Sequence, residues 1–161
     1  MAGPAGVGKT TVMHALVERL GWVWLEGDDQ HPAANVAKMR DGIALTDEDR
    51  GPWLAGIAAW IGRQEDAGRD AVVTCSALRR RYRETLGAGH PSVWFVLLLA
   101  PGEELAHRMA GRIGHYMPDS LLQSQLDALE PLGPDEPGGT FDASRPVGIL
   151  VDAILADLDR G

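Results

Sequence analysis

The chain has 161 residues, 45% of them hydrophobic, with a formal net charge of −8. This suits one globular domain with its own core and excludes a disordered chain. The acidic balance argues against a nucleic-acid partner, and the single cysteine, Cys75, excludes an internal disulfide and fits a reducing cytoplasm. No apolar run is long enough to span a membrane, and no charged-then-apolar leader stands before the first motif.

That motif is Gly3-Pro4-Ala5-Gly6-Val7-Gly8-Lys9-Thr10-Thr11, which fits G-x-x-x-x-G-K-[ST] at every fixed position. Glycines let such a loop fold around a polyphosphate and turn its N–H groups inward, so residues 3 and 5–11 are predicted to bind ATP. Lys9 is expected to reach the β- and γ-phosphates, and the Thr10 hydroxyl to bind Mg²⁺. Lys9 is one of only two lysines against thirteen arginines, so a lysine here departs from the chain's own habit. Val12, Met13, Leu16, Val17 and Leu20 follow at helical spacing, which aims a helix N-terminus at the nucleotide. A phosphate loop normally follows a buried strand, yet two residues precede Gly3. The expectation is that this first strand is missing, and that either Met1 is internal to a longer reading frame or a short upstream piece has been lost.

Trp22–Leu25 reads as a short buried strand running into the polar turn Glu26–Pro32. In open α/β sheets ligands sit at this carboxyl end, so Asp28 is either a ligand-site carboxylate or a turn former. Asn35, Lys38 and Met39 continue at helical spacing until Gly42. Leu45–Leu54 resembles a capped helix start, with Leu54, Ile57, Ala58 and Ile61 as its core stripe. Ala71–Thr74 is an apolar strand, and the basic helix Arg79–Arg83 comes after it. Cys75 reads as a small buried residue, and Trp53 as a core or wall residue rather than a sugar-stacking one. Val93–Leu99 is the strongest strand signal. A helix from about Glu103 to Arg112, another around Leu121–Leu129, a strand at Thr140–Asp142 and a helix from Val147 to Leu158 complete the chain. Strands alternate with helices, which predicts an α/β architecture with a parallel sheet. The whole of 1–161 reads as one domain.

The ordered series of motifs resembles the thermoresistant type of gluconate kinase, a small P-loop kinase related to shikimate and nucleoside-monophosphate kinases. It comprises the phosphate loop, Gly27-Asp28 with His31-Pro32, Asn35, Lys38-Met39, Gly42, Asp47, Asp49-Arg50, Pro52-Trp53-Leu54, Cys75–Leu78, Tyr82-Arg83, Arg108, Arg112, His115, Tyr116 and Gln125. The chain departs from that family at Glu26, where Asp is usual, and at Arg79, where Lys is common. The resemblance implies a three-layer α/β/α P-loop NTPase fold, a lid at about 108–118, a homodimer, and ATP-dependent phosphorylation of D-gluconate with Mg²⁺. Lys9, Asp28 and Arg112 are then the catalytic candidates, Asp28 as base for the 6-hydroxyl. Arg108 and Arg112, one helical turn apart, look like lid arginines that close over the phosphates. His31 is either a substrate contact or a turn cap. A carboxylate is best held by a bidentate arginine. Arg50 and Arg83 are the first choices for that role, with Arg79 and Lys38 behind them. Two other readings stay open: a P-loop kinase for another hydroxylated acceptor such as shikimate, and a truncated, inactive nucleotide-binding protein. A regulatory GTPase would need an Asn-Lys-x-Asp motif, which the sequence lacks.

Overall fold

The structure, a computed structural model, describes residues 1–111 and 119–159. The elements in order are α1 (Lys9–Leu20), β1 (Val23–Glu26), a 3₁₀ turn (Gly27–Gln30), α2 (Ala33–Arg40), α3 (Asp47–Asp66), β2 (Ala71–Thr74), α4 (Arg80–Gly87), β3 (Phe95–Leu99), α5 (Gly102–Ala110), α6 (Asp119–Ala128), β4 (Gly138–Asp142) and α7 (Val147–Leu158). All strand pairings are parallel: β1 with β2 from Val23↔Ala71 to Glu26↔Thr74, and β3 with β4 from Phe95↔Gly138 to Leu99↔Asp142. The helices between the strands supply the crossovers that parallel pairing requires.

The two strand pairs are joined by the first three residues of the chain. Ala2 donates to the Val96 carbonyl at 2.7 Å and accepts from Leu98 N–H at 2.9 Å. On its other side Cys75 donates to the Met1 carbonyl at 3.0 Å, and Gly3 donates to Ser76 at 3.1 Å. Residues 1–3 thus hold the strand position between β2 and β3, over three residues where a complete strand was expected to be missing. Gly3 is required there: its φ is +140°, and a Cβ would lie 2.5 Å from the Leu98 carbonyl oxygen. Beyond Met1 the facing edges of β2 and β3 open on an apolar slot of about 210 Å³, lined among others by Leu16, Trp60, Val72, Trp94, Val96 and Ile154.

β3 is apolar throughout because it is covered on both faces. Phe95 and Leu97 join Trp53, Leu54, Ile57, Tyr82 and Leu86 from α3 and α4. Val96 and Leu98 join Val12, Leu16, Leu105, Leu150, Val151 and Ile154 from α1, α5 and α7. This is the three-layer arrangement expected. One expectation fails: β1 is not a buried strand but the sheet's edge, with Val23 and Trp24 37% and 46% exposed. An apolar run of four residues does not tell an edge from an interior position. Among the described residues no helix is long and apolar enough to cross a membrane.

Candidate active site

The phosphate loop crosses from the sheet to α1 at the carboxyl ends of the strands. Gly8 takes φ +100° immediately before the helix, and no side chain caps this helix end. The first-turn N–H groups, those of Thr10 and Thr11 among them, have no intrahelical acceptor and form an anion site. Lys9 Nζ donates to the carbonyls of Gly3 and Pro4, both at 3.0 Å, so its ammonium lies folded across the loop. Gly6 and Val7 are buried, whereas Thr10 and Thr11 are exposed. Ala5 gives its N–H to Gln125 Oε1 of α6 at 2.8 Å, which ties the loop to a helix far along the chain.

Beside the loop a cavity of about 310 Å³ is lined by Gly6, Gly8, Thr11, Arg108, Arg145 and Val147, with others. Arg108 is part of its wall: it donates to the Val7 carbonyl at 3.2 Å and the Ala143 carbonyl at 2.8 Å, and pairs with Glu104 at 2.5 Å. It thus belongs to α5 and is held by these contacts to the phosphate loop and the segment after β4. Arg112 and the rest of the expected lid, 112–118, lie outside the described residues. Arg145 and Ala143 were missed by sequence reasoning. The signal available was their place after Thr140–Asp142, at the carboxyl end of an expected strand.

Across the sheet, β1 runs into the turn that carries Asp28 and His31. Gly27 packs so closely on the Thr74 carbonyl that a Cβ there would overlap it. Trp53 fixes this turn at both ends: its indole N–H donates to the Gly27 carbonyl at 2.7 Å, and its ring stacks on His31 with centroids 4.1 Å apart and planes at 15°. Trp53 is thus a wall residue whose free face is already covered by histidine. Burial, which outweighs the nearby Asp28 carboxylate, lowers the His31 pKa, so the ring is neutral at pH 7. Asp28 itself is exposed. Glu26, at the end of β1, accepts from the Thr74 hydroxyl through Oε2, while its buried Oε1 has no hydrogen-bond partner among the described residues.

The basic candidates separate sharply. Arg83 is fully buried and makes a bidentate pair with Glu136, Nε–Oε1 at 2.6 Å and Nη2–Oε2 at 3.0 Å. Its remaining donors go to the carbonyls of Ala77, Leu78, Glu130 and Pro131. The expectation that Arg83 grips a substrate carboxylate is corrected: no N–H remains for a ligand and no ligand can reach it. Lys38 is paired with Asp49 at 2.7 Å, linking α2 to α3. Among the described residues, Arg50 and Arg79 stand in no ion pair. Both lie close enough to Asp47 to lower its pKa, after the larger effects of the Tyr82 hydroxyl and Arg81, and Arg50 also acts on His31.

A phosphate loop before α1, a cavity beside it and a polar turn at the end of β1 are parts that a small-molecule kinase needs. The AAA-domain family model matches residues 1–132. A gluconokinase from Gluconobacter oxydans (strain 621H) is 53% identical over 153 residues, covering 95% of this chain and 86% of that protein. The chain belongs to the gluconokinase family. Two solved structures agree. A sugar kinase from Janibacter sp. HTCC2649 superposes with a TM-score of 0.93 at 47% identity, covering 98% of this chain and 91% of that one. A gluconokinase from Sinorhizobium meliloti 1021 gives 0.88 at 42% identity, covering 99% and 89%. The P-loop kinase fold and the kinase class expected from the motifs are thereby shown.

Proposed function

We infer that this protein transfers the γ-phosphoryl group of ATP to the 6-hydroxyl of D-gluconate, giving ADP and 6-phosphogluconate. The observation that carries the reading is Arg50, which stands in no ion pair among the described residues and lies close enough to His31 to act on its titration, in a chain so similar to a gluconokinase. Free guanidinium groups beside a polar turn suit an acceptor that is both a polyol and an anion.

In this reading the loop N–H groups and Lys9 hold the phosphates, with Lys9 leaving its carbonyl contacts to meet the β- and γ-oxygens. The exposed Thr10 hydroxyl is a hard oxygen donor that would suit a divalent cation such as Mg²⁺, which would supply charge neutralisation on the phosphates. Arg108 and Arg145 enclose the nucleotide, and Arg112 is the arginine proposed to stabilise the transferring group. Asp28 accepts the proton of the 6-hydroxyl as it attacks in line. Neutral His31 cannot add a positive charge there and serves the acceptor as a hydrogen-bonding wall. The buried reduced Cys75 and the family together support a cytoplasmic enzyme.

A panel of acceptors read by ADP release tests this directly. D-gluconate should support turnover far above shikimate or nucleoside monophosphates. Stabilisation by ATP–Mg²⁺ in a thermal melt without turnover on any acceptor would instead leave an inactive nucleotide binder.

A further inference from the structure

Helices α3 and α4 meet at a cluster of which the reaction as described uses only Arg50. Tyr82 is 8% exposed, and its hydroxyl donates to Asp47 Oδ1, the first residue of α3. The other oxygen of Asp47 pairs with Arg81 at 2.5 Å. Two guanidinium carbons lie over the Tyr82 ring, Arg50 at 5.6 Å and Arg81 at 5.4 Å from its centroid. Asp47 and Arg50 are three residues apart on α3 and so share a face of that helix. One tyrosine is therefore gripped at its hydroxyl by the first and overlain by the second.

A guanidinium can be held in two ways. A carboxylate holds it by consuming its N–H donors, as Glu136 holds Arg83 and as Asp135 with Glu84 holds Arg80. An aromatic face holds it by charge–quadrupole attraction and leaves the in-plane N–H groups uncommitted. Arg50 is held in the second way and has no carboxylate partner among the described residues.

We propose that Tyr82 is a positioning residue: its Asp47-anchored ring holds the Arg50 guanidinium in place with its donors free for the carboxylate of the acid substrate. This rests on the gluconate reading above. Arg81 completes the device by neutralising Asp47, so that the carboxylate which anchors the tyrosine does not repel the incoming anion.

The test is a double-mutant cycle on the full chain, with Tyr82→Leu and Arg50→Ala, scored by KM for D-gluconate, KM for ATP and kcat. Tyr82→Leu should raise the gluconate KM about tenfold, between what an exposed and a desolvated cation–π contact contribute, and leave the ATP KM and kcat unchanged. In the Arg50→Ala background the same change should have no further effect. Tyr82→Phe, which keeps the ring, should recover most of the gluconate affinity. If Tyr82→Leu does not fold, Tyr82→Met replaces it in the cycle. An additive cycle, or kcat and both KM values moving together, would make Tyr82 a packing residue and overturn the proposal. Absence of gluconate turnover in the unmodified protein would instead remove the acceptor reading itself.

Discussion

Arg83 gives its N–H donors to Glu136 and to four backbone carbonyls, and its side chain is wholly out of water. Removing one partner of such a pair leaves an uncompensated buried charge, which typically costs about 3–5 kcal/mol. Arg83→Ala should therefore lower the melting temperature strongly, and any remaining folded enzyme should keep its gluconate KM. Arg50→Ala should do the reverse, leaving thermal stability within error and raising the gluconate KM; a melt and a saturation curve on both variants read the difference. Lys9→Ala should abolish turnover with the fold intact, because it removes the ammonium that lies across the loop on the Gly3 and Pro4 carbonyls; near wild-type kinetics would refute the phosphate-loop assignment. The distinction between Arg50 and Arg83 is not legible in the sequence. Both fit a family position, but the partner that buries Arg83 lies 53 residues further on, in a loop whose path no local pattern encodes.

At the level of the element, α3 shows what local chemistry settles. Thr46 accepts from Asp49 N–H at 3.2 Å, and Asp49 accepts from Thr46 N–H at 3.0 Å. This capping box was legible because both partners lie within four residues, as was the stripe of Leu54, Ile57 and Ile61 that faces the core. Thr46→Ala should cost about 1 kcal/mol in a denaturant titration. Asp49 also holds Lys38, and that ion pair together with the cap lowers its pKa from 3.8 to about 2. Because the folded pKa lies below the unfolded one, the stabilisation is complete above about pH 4 and is lost as the pH falls toward 2. The melting-temperature gap between wild type and Asp49→Asn should therefore narrow steadily over that interval; a constant gap would show that the charge of Asp49 is not what stabilises α3. The strand β1 was legible as a strand but not as an edge. The loop after β4 carried no motif, so Arg145 emerged only from its place beside the phosphate loop.

Across the whole molecule, the two strand pairs are held together by residues 1–3 and by helices packed on both faces. The slot of about 210 Å³ beside Met1 is lined by Val72, Val73, Phe95 and Val96 of the facing strands β2 and β3, among others. Apolar burial contributes about 25 cal/mol per Å², so filling the slot is a large effect for a domain of this size. A five-residue Val/Ile-rich segment joined directly before Met1 should raise the melting temperature by more than about 4 °C. A Ser/Gly segment of equal length should not. Equal melts for the two would mean that the slot does not accept a strand. The phosphate loop hangs from these same three residues, so the extended protein should also hold ATP more tightly.

The central claim is a transfer from ATP to the primary hydroxyl of gluconate across one sheet edge. Phosphorus NMR of the protein with ATP, Mg²⁺ and D-gluconate tests it most directly. The γ-phosphate signal should disappear as a phosphomonoester resonance grows, split into a triplet by the two C6 protons. A doublet from a secondary hydroxyl, or γ-phosphate loss that does not depend on gluconate, would contradict it.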